Sequence, residues 1–510
     1  MPIEKGSFDL AIIGGGVNGC GIARDSSGRG IRVLLIEQGD LASGTSSAST
    51  KLIHGGLRYL EHFEFGLVRE ALKERETLRR LAPHIVGPLR FVLPHRSGQR
   101  PRWLLRAGLW IYDRLAGRHS LSGTKSIDLR HHPAGAPLKQ GFVRGWEYSD
   151  CRVDDSRLVV LNARDAANRG ATVLTRHRLI GATRVSGGWQ LDVRGADGSH
   201  GTYFSHALVN AAGPAVQDVL TLTALPGSHR LSRIRGSHIV VPSLFDHGFA
   251  YIFQLADRRI IFAIPYERDF TLIGTTESSH DGPLDQVEPT PEELDYLCRG
   301  ASEYFAQAIS AADVVWSFAG VRALVDPGGG RLEAASRGYR IEIDAAGGLA
   351  PLLTIYGGKI TSYRRLAEEA VDRLVPYVAQ SDKPPWTASE ALPGGDFAVG
   401  GLDALTATLE ARYPFLGTVD ARRISAAYGT LGASWLGEAQ TRSDLGQDFG
   451  HGLSAAEVEY CMAREWARTV DDMLWRRTKL GLWIGDAGRA ELHQYITART
   501  AQMADQGACA

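Results

Sequence analysis

Residues 9–37 constrain this chain more than any other stretch. An apolar run, Asp9-Leu-Ala-Ile-Ile13, leads into Gly14-Gly-Gly-Val-Asn-Gly19. A helix-like stretch follows, then a second apolar run, Arg32-Val-Leu-Leu-Ile-Glu37, that ends on an acid. The pattern predicts a buried strand, a glycine turn, a helix and a second buried strand. Gly14 permits the tight turn, Gly16 lets a pyrophosphate approach the backbone, and Gly19 allows close helix–strand packing, with Asn18 in the same turn. The pyrophosphate would rest on the positive end of the helix. Glu37 stands where an acid accepts hydrogen bonds from a ribose. An acid at this position, rather than an arginine, disfavours a ribose 2′-phosphate. The ligand is then FAD or NAD rather than NADP.

The next segment separates those two. Gly44 to Lys51 reads Gly-Thr-Ser-Ser-Ala-Ser-Thr-Lys, in which Thr45, Ser46, Ser47 and Ser49 supply hydroxyls and Lys51 a cation. Such a run can hold a second phosphate and reach along an extended dinucleotide, which favours FAD. It continues into Leu52-Ile-His54-Gly55-Gly-Leu-Arg58-Tyr59-Leu60. Two later segments fit the same ligand. A buried strand from Ala207 ends in the small residues Ala212 and Gly213, which let the backbone come close. Residues 355–368 form a glycine turn opening a helix, with Gly358, Lys359 and Thr361 at the turn. A helix N-terminus aimed at a flavin would stabilise negative charge on the reduced ring.

At 510 residues the chain is too long for one ordinary core, which implies two or three domains. Lys plus Arg and Asp plus Glu both total 57, and that balance argues against nucleic acid as a partner. Cys20, Cys151, Cys298, Cys461 and Cys509 form no C-x-x-C pair, so reduced thiols are expected rather than disulfides or a zinc site. The first apolar run is too short for a signal peptide, and no window approaches the roughly 18 apolar residues of a spanning helix. Asp155 could cap a helix through Asn168 that stops at Gly170. Residues 231–325 alternate short apolar runs with turns, an antiparallel pattern. Past the linker Pro384-Pro385 to Gly395, Ser454-Ala-Ala-Glu457 resembles a capping box. Apolar residues at helical spacing follow it to Met473, and the tryptophans there are read as core packing.

Taken together, these residues resemble the FAD-dependent (aerobic, quinone-linked) glycerol-3-phosphate dehydrogenase family. The likeness rests on Gly14 to Gly19, Thr45 to Tyr59, Arg235-Gly-Ser-His238, Gly274-Thr-Thr276, Ala319-Gly-Val-Arg322, Gly357-Gly-Lys-Ile-Thr361 and Leu474-Trp-Arg-Arg-Thr-Lys-Leu-Gly-Leu482. It implies an α/β Rossmann-like FAD-binding domain of the glutathione-reductase/amino-acid-oxidase type at 1–92, 148–230 and 326–385. It also implies an antiparallel β-sheet substrate domain at 93–147 and 231–325, and an all-α C-terminal domain at 386–510. The implied reaction is oxidation of sn-glycerol 3-phosphate to dihydroxyacetone phosphate, with electrons passed to quinone, or to oxygen in close relatives. The flavin is expected to be bound non-covalently.

A phosphorylated three-carbon substrate needs a cationic clamp, and arginine offers planar, bidentate donors for phosphate. Arg58, Arg322 and Lys359 carry that expectation, with Tyr59 and Thr275 adding hydroxyls. Hydride transfer from C2 needs a base for the hydroxyl proton, and a histidine suits it near neutral pH. His54 and His238 are both candidates, and the sequence does not choose between them. Arg337 is a weaker candidate, since the family pattern Thr-Arg-Asp-Tyr reads Ser336-Arg-Gly-Tyr339 here. Glu277 stands where the family has Asp after Gly-Thr-Thr.

Arg100 to Arg118 holds five arginines against Asp113 alone, with Leu104, Leu105, Leu109, Ile111, Tyr112 and Leu115 on one helical face. Arg106, Arg114, Arg118, Trp103 and Trp110 take the other. Arg and Trp beside an apolar face suit an anionic lipid surface, while a core-facing helix with Trp–Arg stacking is the alternative. The expected location is cytoplasmic, peripheral on the inner face of the cytoplasmic membrane. The assembly state is left open, a homodimer included. A peroxide-forming oxidase, a flavoenzyme acting on an amine or 2-hydroxy acid, and a non-catalytic FAD-binding sensor are the rival readings.

Overall fold

Strand Ile3–Ile13 is the axis of the first sheet, because its residues Leu10 to Ile12 are wholly buried and pair on both sides. It lies parallel to Val33–Glu37 on one side and to His200–Asn210 on the other. Thr172–Thr175 and Leu352–Gly357 extend this parallel core, and antiparallel Tyr339–Asp344 closes one edge. The hairpin His177–Val185 with Gly188–Gly195 joins the sheet through His200–Asn210. Helices Val17–Gly28, Asp155–Asn168 and Tyr363–Leu374 pack on one another against this sheet. Their core gathers Leu10, Ile12, Cys20, Ile22, Leu158, Leu161, Leu366 and Val371. Each fully buried side chain of this size contributes about 1.5–3 kcal/mol. The computed structural model describes residues 3–508 except 97, 116, 118–120, 226, 228, 326–337 and 379–382, and side chains from 6 to 503.

Among the described residues ten strands form the second sheet, eight of them in order from Ser278–Ser279 through Leu231–Pro242, Phe270–Gly274, Ile260–Tyr266, Phe249–Gln254, Val86–His95 and Arg144–Val153 to Leu52–Ile53. Trp316–Val325 also pairs with Leu231–Pro242, and Lys125–Asp128 with Arg144–Val153. Two expectations need correction here. The sheet is not wholly antiparallel, since Phe249–Gln254 runs parallel to Val86–His95. Its contribution from the first half of the chain is also wider than 93–147, since it includes Leu52–Ile53 and runs from Val86 to Val153, where both long strands pair over their full length.

Helices Leu402–Arg412, Gly417–Tyr428, Ala455–Arg464 and Asp486–Ala508 build the C-terminal unit around Leu409, Tyr428, Leu453, Cys461, Leu474 and Leu492. Trp435, Trp475 and Trp483 pack against that core, as expected of them. Ser454 caps its helix by accepting from Glu457 N at 3.4 Å. The box is not reciprocal, because the Glu457 carboxylate is taken by Arg423 and Tyr428. The helix also ends at Arg464 rather than running on to Met473, and Trp466 at φ +57° turns the chain there. The earlier helix is capped by Asp154, whose carboxylate accepts from Arg157 N at 3.1 Å, and not by Asp155. Cys20, Cys151, Cys298 and Cys461 are buried free thiols, and Cys509 lies outside the described residues.

Candidate active site

The glycine turn is shaped by contacts that only glycine allows. Gly14 has φ +112°, and a Cβ on it would meet Ala211 O at 2.6 Å. A Cβ on Gly19 would lie 1.9 Å from Gly14 O. Gly16 starts the helix with no side-chain cap, and Val17 N donates to Ser46 Oγ at 3.0 Å, so the helix N-terminus is not closed by an acid. The Glu37 carboxylate accepts from Gly15 N at 2.6 Å and Gly39 N at 2.7 Å. Burial pushes its pKa up, while those N–H groups pull it back. Asn18 Nδ2 donates to Gly357 O at 3.2 Å, and its Oδ1 is buried with no protein partner among the described residues. Gly358, at φ +104°, would bring a Cβ within 3.0 Å of Asn18 Nδ2. A Cβ on Gly14 would also lie 3.1 Å from Ala212 Cα, and Gly213 has φ +58°. Segments far apart in sequence therefore meet at one helix N-terminus with an acid beside it, and these residues fit a dinucleotide.

The hydroxyl loop behaves differently from its sequence reading. The Lys51 side chain is buried, and Nζ lies 2.8 and 3.0 Å from the two Asp155 oxygens and 2.8 Å from Ser47 O. Ser49 donates to Asp155 Oδ2 at 2.8 Å, and Thr45 to Val321 O at 2.6 Å. Lys51 is thus an ion-paired brace of the loop rather than a cation facing a phosphate. The sequence hid this because Asp155 is 104 residues away. Ser46 alone of the cluster bonds to the first turn of the glycine-turn helix. Leu52 is buried in its short strand.

Past that loop, Gly56 at φ +77° makes room for the Tyr59 ring, which a Cβ would meet at 2.2 Å. The Lys359 ammonium sits over that ring, 3.7 Å from its centroid. His54 N lies 3.4 Å from Thr361 Oγ1. The His54 imidazole is half-buried, and its pKa falls to about 4 through burial first, then the charges of Lys359, Arg322 and Arg75. Arg322 donates to Thr275 Oγ1 at 3.4 Å and lies 3.7 Å from Glu277. Gly236 clears space for both Thr275 and Arg322, which a Cβ would approach to 2.7 and 2.9 Å. Arg58 lies on the same turn as Tyr59, with no partner for its buried Nε among the described residues. Arg337 lies outside the described residues.

His238 occupies a different environment. It is 1% exposed, its Nε2 is 3.0 Å from Thr50 Oγ1, and its ring stacks on Phe318 at 4.9 Å. Gly274 lies so close across the strand pair that a Cβ there would overlap the ring at 2.0 Å. Burial, Arg322 and Lys51 hold its pKa well below the ordinary histidine value.

Beneath the His54–Gly55 step lies a buried network that the sequence reading did not anticipate. Gly55 N donates to Tyr112 OH at 2.8 Å, Tyr112 OH donates to Asp150, and Arg75 NH1 donates to Asp150 Oδ1 at 2.8 Å. Tyr112 belongs to helix Arg102–Leu115, on which only it and Leu109 are fully buried. Leu104, expected on the apolar face, is 43% exposed, beside Trp103 at 71% and Trp110 at 56%. Arg114 stacks on Trp110 at 4.2 Å, so the expected Trp–Arg contact exists, but on the outer surface rather than in a core. The helix packs beside the turn carrying Arg58 and Tyr59, next to Phe63, which is 78% exposed. Among the described residues no helix is long and apolar enough to cross a membrane.

A family model described as FAD dependent oxidoreductase matches residues 9–364, and one described as the C-terminal domain of alpha-glycerophosphate oxidase matches 385–504. The chain is 48% identical over 493 residues to a glycerol-3-phosphate dehydrogenase of Pseudomonas aeruginosa, covering 96% of this chain and 95% of the relative. It is 45% identical to the aerobic glycerol-3-phosphate dehydrogenase of Escherichia coli, over 97% and 98% of the two chains. It is also 46% identical to a D-erythritol 1-phosphate dehydrogenase of Brucella abortus, over 97% and 98%. Among solved structures, the glycerol-3-phosphate dehydrogenase of Bacillus halodurans complexed with FAD superposes with a TM-score of 0.77 at 27% identity, covering 98% of this chain and 90% of that one.

Proposed function

The chain belongs to the FAD-dependent glycerol-3-phosphate dehydrogenase family, and from that membership we propose that it oxidises sn-glycerol 3-phosphate to dihydroxyacetone phosphate and delivers the electrons to a membrane quinone. FAD is held by the Gly14–Gly19 turn, Glu37, Ser46 and the Gly358 turn. Bound FAD supplies the two-electron acceptor for the C2 hydride. The observation that carries the reading is the meeting of the His54–Tyr59 stretch with the Lys359–Thr361 turn, where His54 N lies 3.4 Å from Thr361 Oγ1 and Lys359 sits over the Tyr59 ring.

Arg322, Lys359 and Arg58 take the substrate phosphate, with Thr275 and Tyr59 lending hydroxyls. His54 takes the proton of the C2 hydroxyl. Burial and the neighbouring cations keep its imidazole neutral at pH 7, which a base requires. A bound phosphate dianion offsets those cations, so substrate raises the basicity of His54 at the moment it is needed. His238 is the poorer base, since its ring is enclosed by Thr50, Phe318 and the Gly274 strand. The exposed Trp103, Leu104 and Trp110 with Arg102, Arg106 and Arg114 support a peripheral seat on the anionic inner face of the cytoplasmic membrane, where a quinone is reached.

Two rivals have specific support. A longer polyol phosphate is favoured by the Brucella relative, and oxygen as acceptor by the name of the C-terminal family model. Anaerobic mixing of the flavoprotein with sn-glycerol 3-phosphate, D-erythritol 1-phosphate and free glycerol tests the first. Fast bleaching of the flavin by glycerol 3-phosphate, and none by glycerol, is expected. Faster bleaching by the erythritol ester would reassign the substrate. Stoichiometric hydrogen peroxide under air would reassign the acceptor.

A further inference from the structure

We propose that the helical C-terminal domain is a cofactor latch, in which Arg477 and Arg476 fix Asp40 and so hold the loop after Glu37 in its FAD-binding shape. The proposal rests on FAD binding at the glycine turn and not on which substrate or acceptor is used.

Asp40 is 3% exposed and follows Glu37 by three residues. Arg477 reaches it with NH1 at 2.9 Å and NH2 at 2.8 Å, and Arg476 adds Nε at 2.6 Å. The Arg477 side chain is itself fully buried and also donates to the Glu465 carbonyl. The Glu465 carboxylate, in turn, receives Arg157 of helix Asp155–Asn168. Short links join Asp40 to the nucleotide turn. Gly39 N donates to Glu37 Oε1, Gly15 N donates to Glu37 Oε2, and Ala42 N donates to Gly15 O at 3.1 Å. Movement of Asp40 therefore displaces both the acid and the turn.

The same C-terminal segment grips a second loop. Lys479 donates to Ser156 Oγ and lies 3.3 Å from Asp154 Oδ1. Asp155, between those two, holds Ser49 and Lys51. Trp475 stacks on Trp316 at 4.2 Å, and Trp316 leans on Phe318, the ring beneath His238. Residues 475–479 thus brace both loops that line the cofactor site. A forked arginine on a buried carboxylate is a stiff, directional contact. Stiffness matters because a loop already in its bound shape costs no ordering free energy when the ligand arrives.

The test is an FAD titration of deflavinated full-length protein, read by flavin fluorescence, with folding followed by far-UV circular dichroism. R477Q is expected to raise the FAD dissociation constant at least about tenfold, equivalent to about 1.4 kcal/mol. R476Q, which removes one of three bonds to Asp40, should give a smaller rise. R423Q breaks the Arg423–Glu457 pair inside the helical domain, away from the loops, and should lower Tm without moving FAD affinity. At saturating FAD, flavin reduction in R477Q should match the parent, because the latch positions the cofactor and touches no reacting atom. Unchanged FAD affinity in folded R477Q, or an equal loss in R423Q, overturns the proposal. If R477Q does not fold, unchanged affinity in R476Q overturns it.

Discussion

The Lys359 ammonium lies 3.7 Å from the centroid of the Tyr59 ring, although 300 residues separate them. A ring face contributes about 0.5–2 kcal/mol to holding a cation. A phosphate oxygen offers the ammonium a charge-assisted hydrogen bond, stronger than the ring contact. Lys359→Gln should therefore raise KM for the phosphorylated substrate by about ten- to a hundredfold, the range of a charged hydrogen bond, with a much smaller change in kcat. Steady-state kinetics checks the split. An unchanged KM would remove Lys359 from the clamp.

His54→Asn should lower the anaerobic flavin reduction rate by about 10²–10⁴, whereas His238→Asn should cost far less. The pH dependence follows from the depressed pKa of His54. The free enzyme's base is protonated only below about pH 4, so once the substrate phosphate's own ionisation near pH 6 is allowed for, kcat/KM should show no further limb between about pH 6 and 8. A larger loss in the His238 variant would exchange the two roles.

Replacing Arg102, Arg106 and Arg114 together by Glu should abolish sedimentation with anionic vesicles at low salt, because all three face solvent on the same helix as Trp103 and Trp110. Flavin content should be unaffected. Equal vesicle binding before and after the change would assign this face to something other than lipid.

His84 is 4% exposed, and neither ring nitrogen has a protein partner among the described residues. Burial first, then Arg157, lowers its pKa to about 3. The unfolded chain therefore binds a proton at His84 between about pH 6.5 and pH 3 that the folded chain refuses, so stability falls as pH falls through that window. At pH 5 the cost is about 2 kcal/mol. His84→Leu should narrow the difference in Tm between pH 8 and pH 5. Equal acid sensitivity of the two proteins would show that His84 is not the group responsible.

The glycine turn and its acid were legible because their chemistry is local. Gly14, Gly19 and Glu37 lie within one strand–turn–helix–strand unit, where the positive φ of Gly14, the approach of Gly14 O to Gly19 and the Glu37 contacts with Gly15 and Gly39 are all made. The buried strands and the helical C-terminal region were legible too, since burial and periodicity leave their mark on consecutive residues. The limits of the second sheet were misjudged by several residues, because where a strand begins depends on its partner. Val86 belongs to the sheet only because Val153 runs alongside it.

Charge pairing was decided in three dimensions alone. Nothing near Lys51 in sequence announces Asp155, and nothing near Asp40 announces Arg477, yet each buried charge is compatible with folding only when its partner arrives. The Arg75–Asp150–Tyr112 network under Gly55 escaped notice for the same reason. The two histidines stood equal in the sequence. Tertiary packing separated them, leaving His54 half-buried among cations and enclosing His238 behind Thr50 and Phe318. The amino-acid sequence by itself determined the nucleotide turn, the fold class and the kinds of side chain available for catalysis, since these follow from local backbone and periodicity. Which cation faces the substrate and which is consumed in holding the fold depended on long-range pairing, which only the folded chain decides.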